Sequence, residues 1–282
     1  MGNNLVLNRL FTQASFQQII QDHDDSFFVS VLHKYNILAD SNEDAIKQIY
    51  KYLSTSYRNE YFYKNTILNK LLLGVHSLNT TTALTEVPVA NSKADFVLIN
   101  GKAVVYEIKT EHDNLDRLDS QIESYYKAFD RVCILTCDSY ADTILEKYRD
   151  SDIGVYLLSE KNTIRRMKEP TKNDENIDLS CVFKILNKSE YEKIIFDYYK
   201  QLPNVTPVKY YKACKSMFIN IPFDIAYSSF LVQLKLRNYI PNKDEFYLVP
   251  YELRSLVYFS KYDKKQYNIL NKFLCSKIGG YK

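Results

Sequence analysis

"ADFVLINGKAVVYEIK", residues 94–109, combines two apolar runs with charged residues at their ends. The Asn-Gly pair between the runs is typical of a β-hairpin, because glycine readily adopts the backbone angles of a tight turn. Asp95 stands at the start of the first run, and Glu107 and Lys109 end the second. Charges are costly to bury without a partner. The stretch therefore predicts a buried hairpin with a functional cluster at one end.

The length of the turn decides whether Asp95 and Glu107 come together. A two-residue turn at 100–101 would place Asp95 opposite Tyr106 and send the two carboxylates to opposite faces, because successive side chains alternate across a strand. A three-residue loop at 100–102 would place Asp95 opposite Glu107. If the charges act together, we expect the longer loop, with its glycine at the bulge.

Two neighbouring carboxylates followed by a lysine form a set with known chemistry. The carboxylates repel each other, and a divalent cation such as Mg²⁺, which prefers oxygen ligands, removes that repulsion. The lysine can orient a water molecule or stabilise the charge that develops on a phosphate. This pattern predicts hydrolysis of a phosphodiester bond.

The spacing of these residues resembles that of the PD-(D/E)xK nuclease superfamily. Asp95 is followed, on the next predicted strand, by Glu107-Ile108-Lys109, and Ala94 stands at the proline position. Gln121 and Tyr125 match the Gln-x-x-x-Tyr helix of the exonuclease-like branch. The longer stretch around them resembles a bacterial nuclease-like family of largely unknown role, and the likeness extends from about residue 58 to residue 158.

The resemblance implies a restriction-endonuclease-like core, which is a mixed central sheet flanked by helices. It implies a Mg²⁺ ion, replaceable by Mn²⁺, bound by Asp95, Glu107 and the carbonyl of Ile108. Lys109 is then expected to assist the nucleophilic water. These implications make Asp95, Glu107 and Lys109 the predicted catalytic residues.

Four further residues are candidates for supporting roles. The superfamily often adds an acid from the preceding helix or strand, and Glu60 and Glu86 both qualify; Glu60 could instead form an ordinary helical pair with Lys64. The resemblance points Gln121 and Tyr125 towards the site. The alternative for this pair is a glutamine at the solvent edge and a half-buried core tyrosine.

The pattern along the chain predicts three regions. Residues 1–54 have helical periodicity, with Ser41 as an N-cap. Residues 55–165 alternate as α-β-β-β-α-β-α-β, which predicts an α/β core with a mixed sheet. Residues 166–282 begin with a polar linker, "KEPTKNDENID", and are mostly helical beyond it, with breaks at "LPNVTP", "NIPF" and "IPNKD".

The net charge of +3 hides an asymmetry. Residues 183–282 carry 17 lysines and arginines against 8 acidic residues, a net charge of +9, whereas residues 1–182 carry −6. Cations interleaved with tyrosines suit nucleic acid, although an AT-rich coding bias would produce the same composition. The predicted nucleic-acid contacts are basic residues near the site and in this region: Arg117, Lys209, Lys212, Lys261, Lys264 and Lys265.

Other features bound the class of protein. Five cysteines without paired spacing predict neither a disulfide framework nor a zinc site, and the four histidines form no ligand-spaced pair. The sequence has no apolar run of membrane-spanning length and no signal-peptide pattern at its start. We therefore expect a cytoplasmic protein without a membrane partner.

Three functions compete at this point. The first is a Mg²⁺-dependent nuclease that acts on DNA. The second is a nuclease-like fold with weak or no catalysis, which serves as a nucleic-acid-binding or assembly module; the helical flanks could then hold a second copy or a protein partner. The third is an unrelated α/β protein in which Glu107 and Lys109 form a surface ion pair. We favour the first, because it explains Asp95, Glu107 and Lys109 together.

Overall fold

Five helices precede the sheet in the computed structural model, which describes residues 4–238 and 240–281. They are α1 (Leu5–Leu10), α2 (Gln13–Gln21), α3 (Ser26–Lys34), α4 (Asn42–Ser56) and α5 (Glu60–Ile67). The Ser41 hydroxyl accepts a hydrogen bond from the backbone N–H of Asp44, which confirms Ser41 as the cap of α4. Helix α5 continues as a π-helical segment, Leu68–Leu72. The predicted helical N-terminal region is confirmed.

A six-stranded mixed sheet forms the centre of the described chain. Its elements, in chain order, are β1 (Thr82–Val89), β2 (Ser92–Ile99), β3 (Ala103–Lys109), α6 (Leu118–Tyr126), β4 (Val132–Thr136), α7 (Asp138–Lys147), β5 (Gly154–Leu158) and β6 (Ile164–Lys168). Each strand pairs with its neighbour in sequence; β3–β4 and β4–β5 are parallel, and the other pairs are antiparallel. The predicted mixed α/β core is confirmed, with β6 as an additional strand.

The turn between β2 and β3 has three residues. Ile99 lies opposite Ala103, and the Asn100 N–H donates a 2.8 Å hydrogen bond to the Lys102 carbonyl. Gly101 has φ +68°, a left-handed value that glycine adopts without strain. The longer of the two predicted loops is therefore the correct one.

Seven α-helices and one short 3-10 helix (Tyr251–Leu253) follow the sheet among the described residues. The α-helices are α8 (Leu179–Ile185), α9 (Lys188–Tyr199), α10 (Pro207–Ile219), α11 (Phe223–Leu236), α12 (Lys243–Leu248), α13 (Arg254–Ser260) and α14 (Lys264–Cys275). The three predicted breaks fall between α9 and α10, α10 and α11, and α11 and α12. Residues 169–178 form no helix or strand, as the polar linker predicts.

Two hydrophobic clusters cover the two faces of the sheet. The first, here called the α6 face, contains Val97, Val105 and Tyr125 and is completed by α8 to α11. The second, the α5 face, contains Phe96 and Tyr106 and is completed by the N-terminal helices and α12 to α14. The basic C-terminal region therefore divides between both faces.

A membrane-spanning helix is not found among the described residues. None of the helices there combines the length and the apolar composition that a bilayer crossing needs. Helices α10 and α11 meet those criteria only when they are counted together, and they are bent by 119° at their junction.

Candidate active site

The site lies at the end of the paired part of the β2–β3 hairpin. Phe96 and Tyr106 are the last paired residues of the hairpin, so Asp95 is the residue that would next lie opposite Glu107. Instead of a ladder bond, the Asp95 carboxylate oxygen Oδ2 accepts a 2.8 Å hydrogen bond from the Ile108 N–H. The three-residue loop thus brings Asp95 to the end of β3, as the register predicts.

Glu107 lies at the centre of a buried network. Its side chain is 1% exposed, and its Oε1 lies 2.9 Å from the Lys109 ammonium. Its Oε2 lies 2.5 Å from the Tyr125 hydroxyl. The Lys109 ammonium also donates a 2.9 Å hydrogen bond to the Gln121 amide oxygen. The network therefore joins the Glu-x-Lys strand to the Gln-x-x-x-Tyr helix at two points.

Periodicity explains why these four side chains meet. Glu107 and Lys109 are two residues apart on β3 and share the α6 face, while Gln121 and Tyr125 are four apart on α6 and share one side of that helix. Burial and the Glu107 charge raise the pKa of the Tyr125 hydroxyl, so Tyr125 stays a neutral donor. Of the two readings of this pair, the structure supports the one directed towards the site.

Asp95 carries an unusual proton affinity. Burial and the Glu107 carboxylate raise its pKa to about 8, and the hydrogen bond from the Ile108 N–H opposes that rise only in part. A carboxyl group with this pKa is half protonated at about pH 8 and mostly protonated at neutral pH when no cation is present. The electrostatics of the site therefore favour the addition of positive charge at Asp95.

Three carboxylates lie close enough to bind one cation. Ligand oxygens of Glu60, Glu86 and Asp95 all lie within 4.8 Å of one another. Both candidates for the additional acid are thus in the cluster, one from α5 and one from β1. Glu107, which is expected as a ligand beside Asp95, lies outside this group; its two oxygens contact Lys109 and Tyr125.

Lys64 neutralises part of this acidic cluster. Its ammonium lies 2.5 Å from a carboxylate oxygen of Glu60 and 2.5 Å from one of Glu86. Burial acts to lower the pKa of Lys64, but the two glutamates together raise it above its ordinary value. The ordinary helical pair of Glu60 with Lys64 is therefore present within the site. Sequence reasoning gave Lys64 no role of its own, and only its i,i+4 spacing from Glu60 signalled one.

The backbone of Glu86 is strained. Its φ is +53°, which is uncommon for a residue with a side chain and costs on the order of 1–2 kcal/mol. In a regular strand, residues three apart such as Leu84 and Val87 point to opposite faces, yet both lie on the α6 face. The alternation of side chains along β1 is therefore interrupted at Glu86. On β2, Ala94 and Val97 show the same change around Asp95. The irregular backbone at these two positions allows the Glu86 and Asp95 carboxylates to reach the same cluster.

The predicted nucleic-acid contacts lie on different surfaces. Arg117 is exposed and directly precedes α6, without a side-chain hydrogen bond to the start of that helix. Lys209 and Lys212 are exposed on α10, a helix of the α6 face. The remaining three, Lys261, Lys264 and Lys265, are exposed at the end of α13 and the start of α14, which pack on the α5 face. The two lysine clusters therefore lie on opposite sides of the sheet.

A family model described as bacteriophage P4 protein cII matches residues 53–249, and the chain belongs to that family. Protein cII of Enterobacteria phage P4 is 31% identical over 93 residues, which are 32% of this chain. The matched part spans 35% of that relative's own length, about a third. No solved structure matches the chain. The resemblance to PD-(D/E)xK nucleases stays a prediction.

Proposed function

We propose that this member of the bacteriophage P4 protein cII family is a divalent-metal-dependent nuclease that hydrolyses phosphodiester bonds, with DNA as its substrate. The observation that carries the proposal is the network of Glu107, Lys109, Gln121 and Tyr125 beside Asp95. A purely structural Glu107–Lys109 ion pair does not need the Tyr125 hydroxyl and the Gln121 amide to hold it in place. A catalytic lysine, in contrast, must be fixed in one position.

The donor set fits Mg²⁺ or Mn²⁺. The carboxylates of Glu60, Glu86 and Asp95 are hard oxygen ligands, and burial together with the nearby Glu107 charge raises the pKa of Asp95. When bound, the cation supplies positive charge to the reacting phosphate. Asp95 is the ligand most closely tied to the network, because its carboxylate is also fixed by the Ile108 N–H.

The chain's own residues divide the remaining work. Glu107 and Gln121 hold the Lys109 ammonium between them, and Tyr125 in turn fixes Glu107. Lys109 orients the attacking water and stabilises the negative charge that develops on the phosphate. Glu107 is thus a positioning residue for Lys109 and a source of negative charge next to Asp95.

The direct test uses the purified protein with linear, circular and single-stranded DNA and with RNA, in Mg²⁺, Mn²⁺ or EDTA. Wild-type protein should cleave DNA with either cation and should be inactive in EDTA. Lys109→Met should lower the rate on the order of 10²–10³-fold, because it removes one electrostatic stabiliser. Lys168→Met is the matched control, since Lys168 is a half-buried lysine at the end of β6 that donates hydrogen bonds to the Tyr148 and Ser151 carbonyls, outside the network. Equal rates for the two variants would contradict the assignment.

A second function is favoured by the closure of the site. Glu107 is almost fully buried, and both of its oxygens are occupied by side chains of the same chain. That arrangement suits a catalytically weak module which binds nucleic acid through its basic residues. Salt-sensitive DNA binding without cleavage in Mg²⁺ or Mn²⁺ would support this alternative and exclude the nuclease. In both versions we propose a cytoplasmic protein whose partner is nucleic acid, with the helical flanks as the surface for a second copy or a protein partner.

A further inference from the structure

A cavity of about 260 Å³ opens next to the acidic cluster. Its walls come from α1 and the turn that follows it (Asn8, Phe11, Thr12) and from the start of α5 (Asn59, Glu60, Lys64). Cavities that hold drug-sized ligands are roughly 300–1,000 Å³, so this one suits a single planar ring system better than a base pair.

The cavity shares two side chains with the candidate metal cluster. Glu60 lines the cavity and also contributes an oxygen within 4.8 Å of the Asp95 carboxylate. Lys64 lines it as well and contacts Glu60 and Glu86. A group seated in the cavity therefore lies directly beside the acidic cluster that contains Asp95.

The lining combines an aromatic wall with amide groups. Phe11 and Tyr61 stack with ring centroids 4.6 Å apart and an interplanar angle of 14°. The Asn8 amide oxygen accepts a 2.9 Å hydrogen bond from the Asn59 amide nitrogen, and within the described residues the Asn8 amide nitrogen has no partner. A flat ring and free amide protons are what a nucleobase needs, because it has a π-face and a hydrogen-bonding edge.

We propose that this cavity receives one nucleobase of a single-stranded nucleic acid, next to the phosphate that is cleaved. The inference rests on the proposed nuclease function and specifies its substrate class. A base inside a duplex is stacked and paired, and its extraction costs energy that a single strand avoids. The enzyme should therefore act on single strands, frayed ends or unpaired segments in preference to blunt duplex.

The test measures binding in EDTA, where cleavage cannot occur. 2-Aminopurine is placed at each position of a single-stranded DNA oligonucleotide in turn, and its fluorescence is followed on addition of the full chain. One position should respond much more strongly than its neighbours. Asn8→Leu, which keeps the shape of the side chain but removes its amide, should greatly reduce that response and weaken binding roughly 2- to 10-fold. Gln18→Leu on α2 is the control, because Gln18 is exposed and lies outside the cavity.

A substrate-side experiment protects the test against misfolding of the variant. An abasic residue at the responsive position should weaken wild-type binding at least as much as Asn8→Leu does, and once the base is absent Asn8→Leu should cause no further loss. Equal fluorescence changes at all positions, or wild-type behaviour of Asn8→Leu, would overturn the inference even if the protein cleaves DNA. Absence of cleavage in Mg²⁺ and Mn²⁺ would instead overturn the nuclease proposal, and a position-specific response in EDTA would still support the base pocket.

Discussion

Lys64→Met is expected to tighten the binding of a divalent cation. The Lys64 ammonium lies 2.5 Å from both Glu60 and Glu86, so it occupies the space between two of the three carboxylates that could bind one ion. A cation that enters the cluster must displace this ammonium or share the carboxylates with it. Methionine keeps the length and apolar character of the side chain but removes the competing charge.

The size of the effect follows from the exposure of the groups. Two unit charges 4 Å apart interact by about 4 kcal/mol at an effective dielectric constant of 20. Lys64 is 13% exposed, but Glu60 and Glu86 are 54% and 49% exposed, so solvent screens much of that energy. We take about 1.4 kcal/mol as the net change, which corresponds to about tenfold tighter binding.

Calorimetric titration with Mn²⁺ measures this affinity without reference to catalysis. Lys47→Met is the control, because Lys47 pairs with Glu43 at the same i,i+4 spacing on α4, outside the site. Thermal unfolding gives a second measure: without metal Lys64→Met should melt below wild type, and Mn²⁺ should raise its melting temperature by more. Unchanged or weaker Mn²⁺ affinity in Lys64→Met would refute the view that this lysine occupies the cation position.

Three further predictions concern the network, the acid and the surface. Tyr125→Phe removes the hydroxyl that fixes Glu107 and should lower the cleavage rate about tenfold or more while the protein still folds; a wild-type rate would argue against a positioning role. The pKa of Asp95, raised from 3.8 to about 8, means that the folded state holds a proton which the unfolded state releases, so metal-free stability should fall as pH rises from about 4 to 8. Asp95→Asn should remove that dependence and raise the melting temperature at pH 8 by about 2–4 °C per kcal/mol gained, and an unchanged pH profile in the variant would contradict the assignment. Charge reversal of Lys209 and Lys212 should flatten the salt dependence of DNA binding, which should otherwise weaken on the order of 10³-fold between 50 and 200 mM salt for about six phosphate contacts; reversal of Lys264 and Lys265 on the opposite side of the sheet tests whether that face binds instead.

The hairpin and its loop were predictable because parity leaves few choices. One residue fewer in the loop moves Asp95 from Glu107 to Tyr106, so a single assumption, that the charges act together, selects the three-residue loop over the two-residue turn. Gln121 and Tyr125 were instead indicated by the resemblance to the Gln-x-x-x-Tyr helix. Their four-residue spacing adds only that the two side chains share one side of α6.

The rest of the site depends on features that no periodicity encodes. The left-handed backbone at Glu86 breaks the alternation of β1, and nothing in "LTEVPVA" signals it, because glutamate rarely adopts that conformation. Strand β6, "IRRMK", was not predicted because an exposed edge strand has a charged sequence rather than an alternating one. The division of the C-terminal helices between two faces was also out of reach, since amphipathicity indicates that a helix is buried without indicating its partner.

The packing of α14 has a consequence for how the chain is made. Asn42 donates a buried 3.0 Å hydrogen bond to the Phe273 carbonyl, and α14 packs on α2 and α4 at the other end of the sequence. At ≈ 5–20 residues per second, a ribosome needs roughly 10–50 s to proceed from the first of these residues to the second. During that interval the apolar surfaces of α2 and α4 that α14 covers have no partner. The nascent chain should therefore depend on chaperones until α14 emerges, and the yield of folded protein should fall at temperatures that the folded protein itself tolerates.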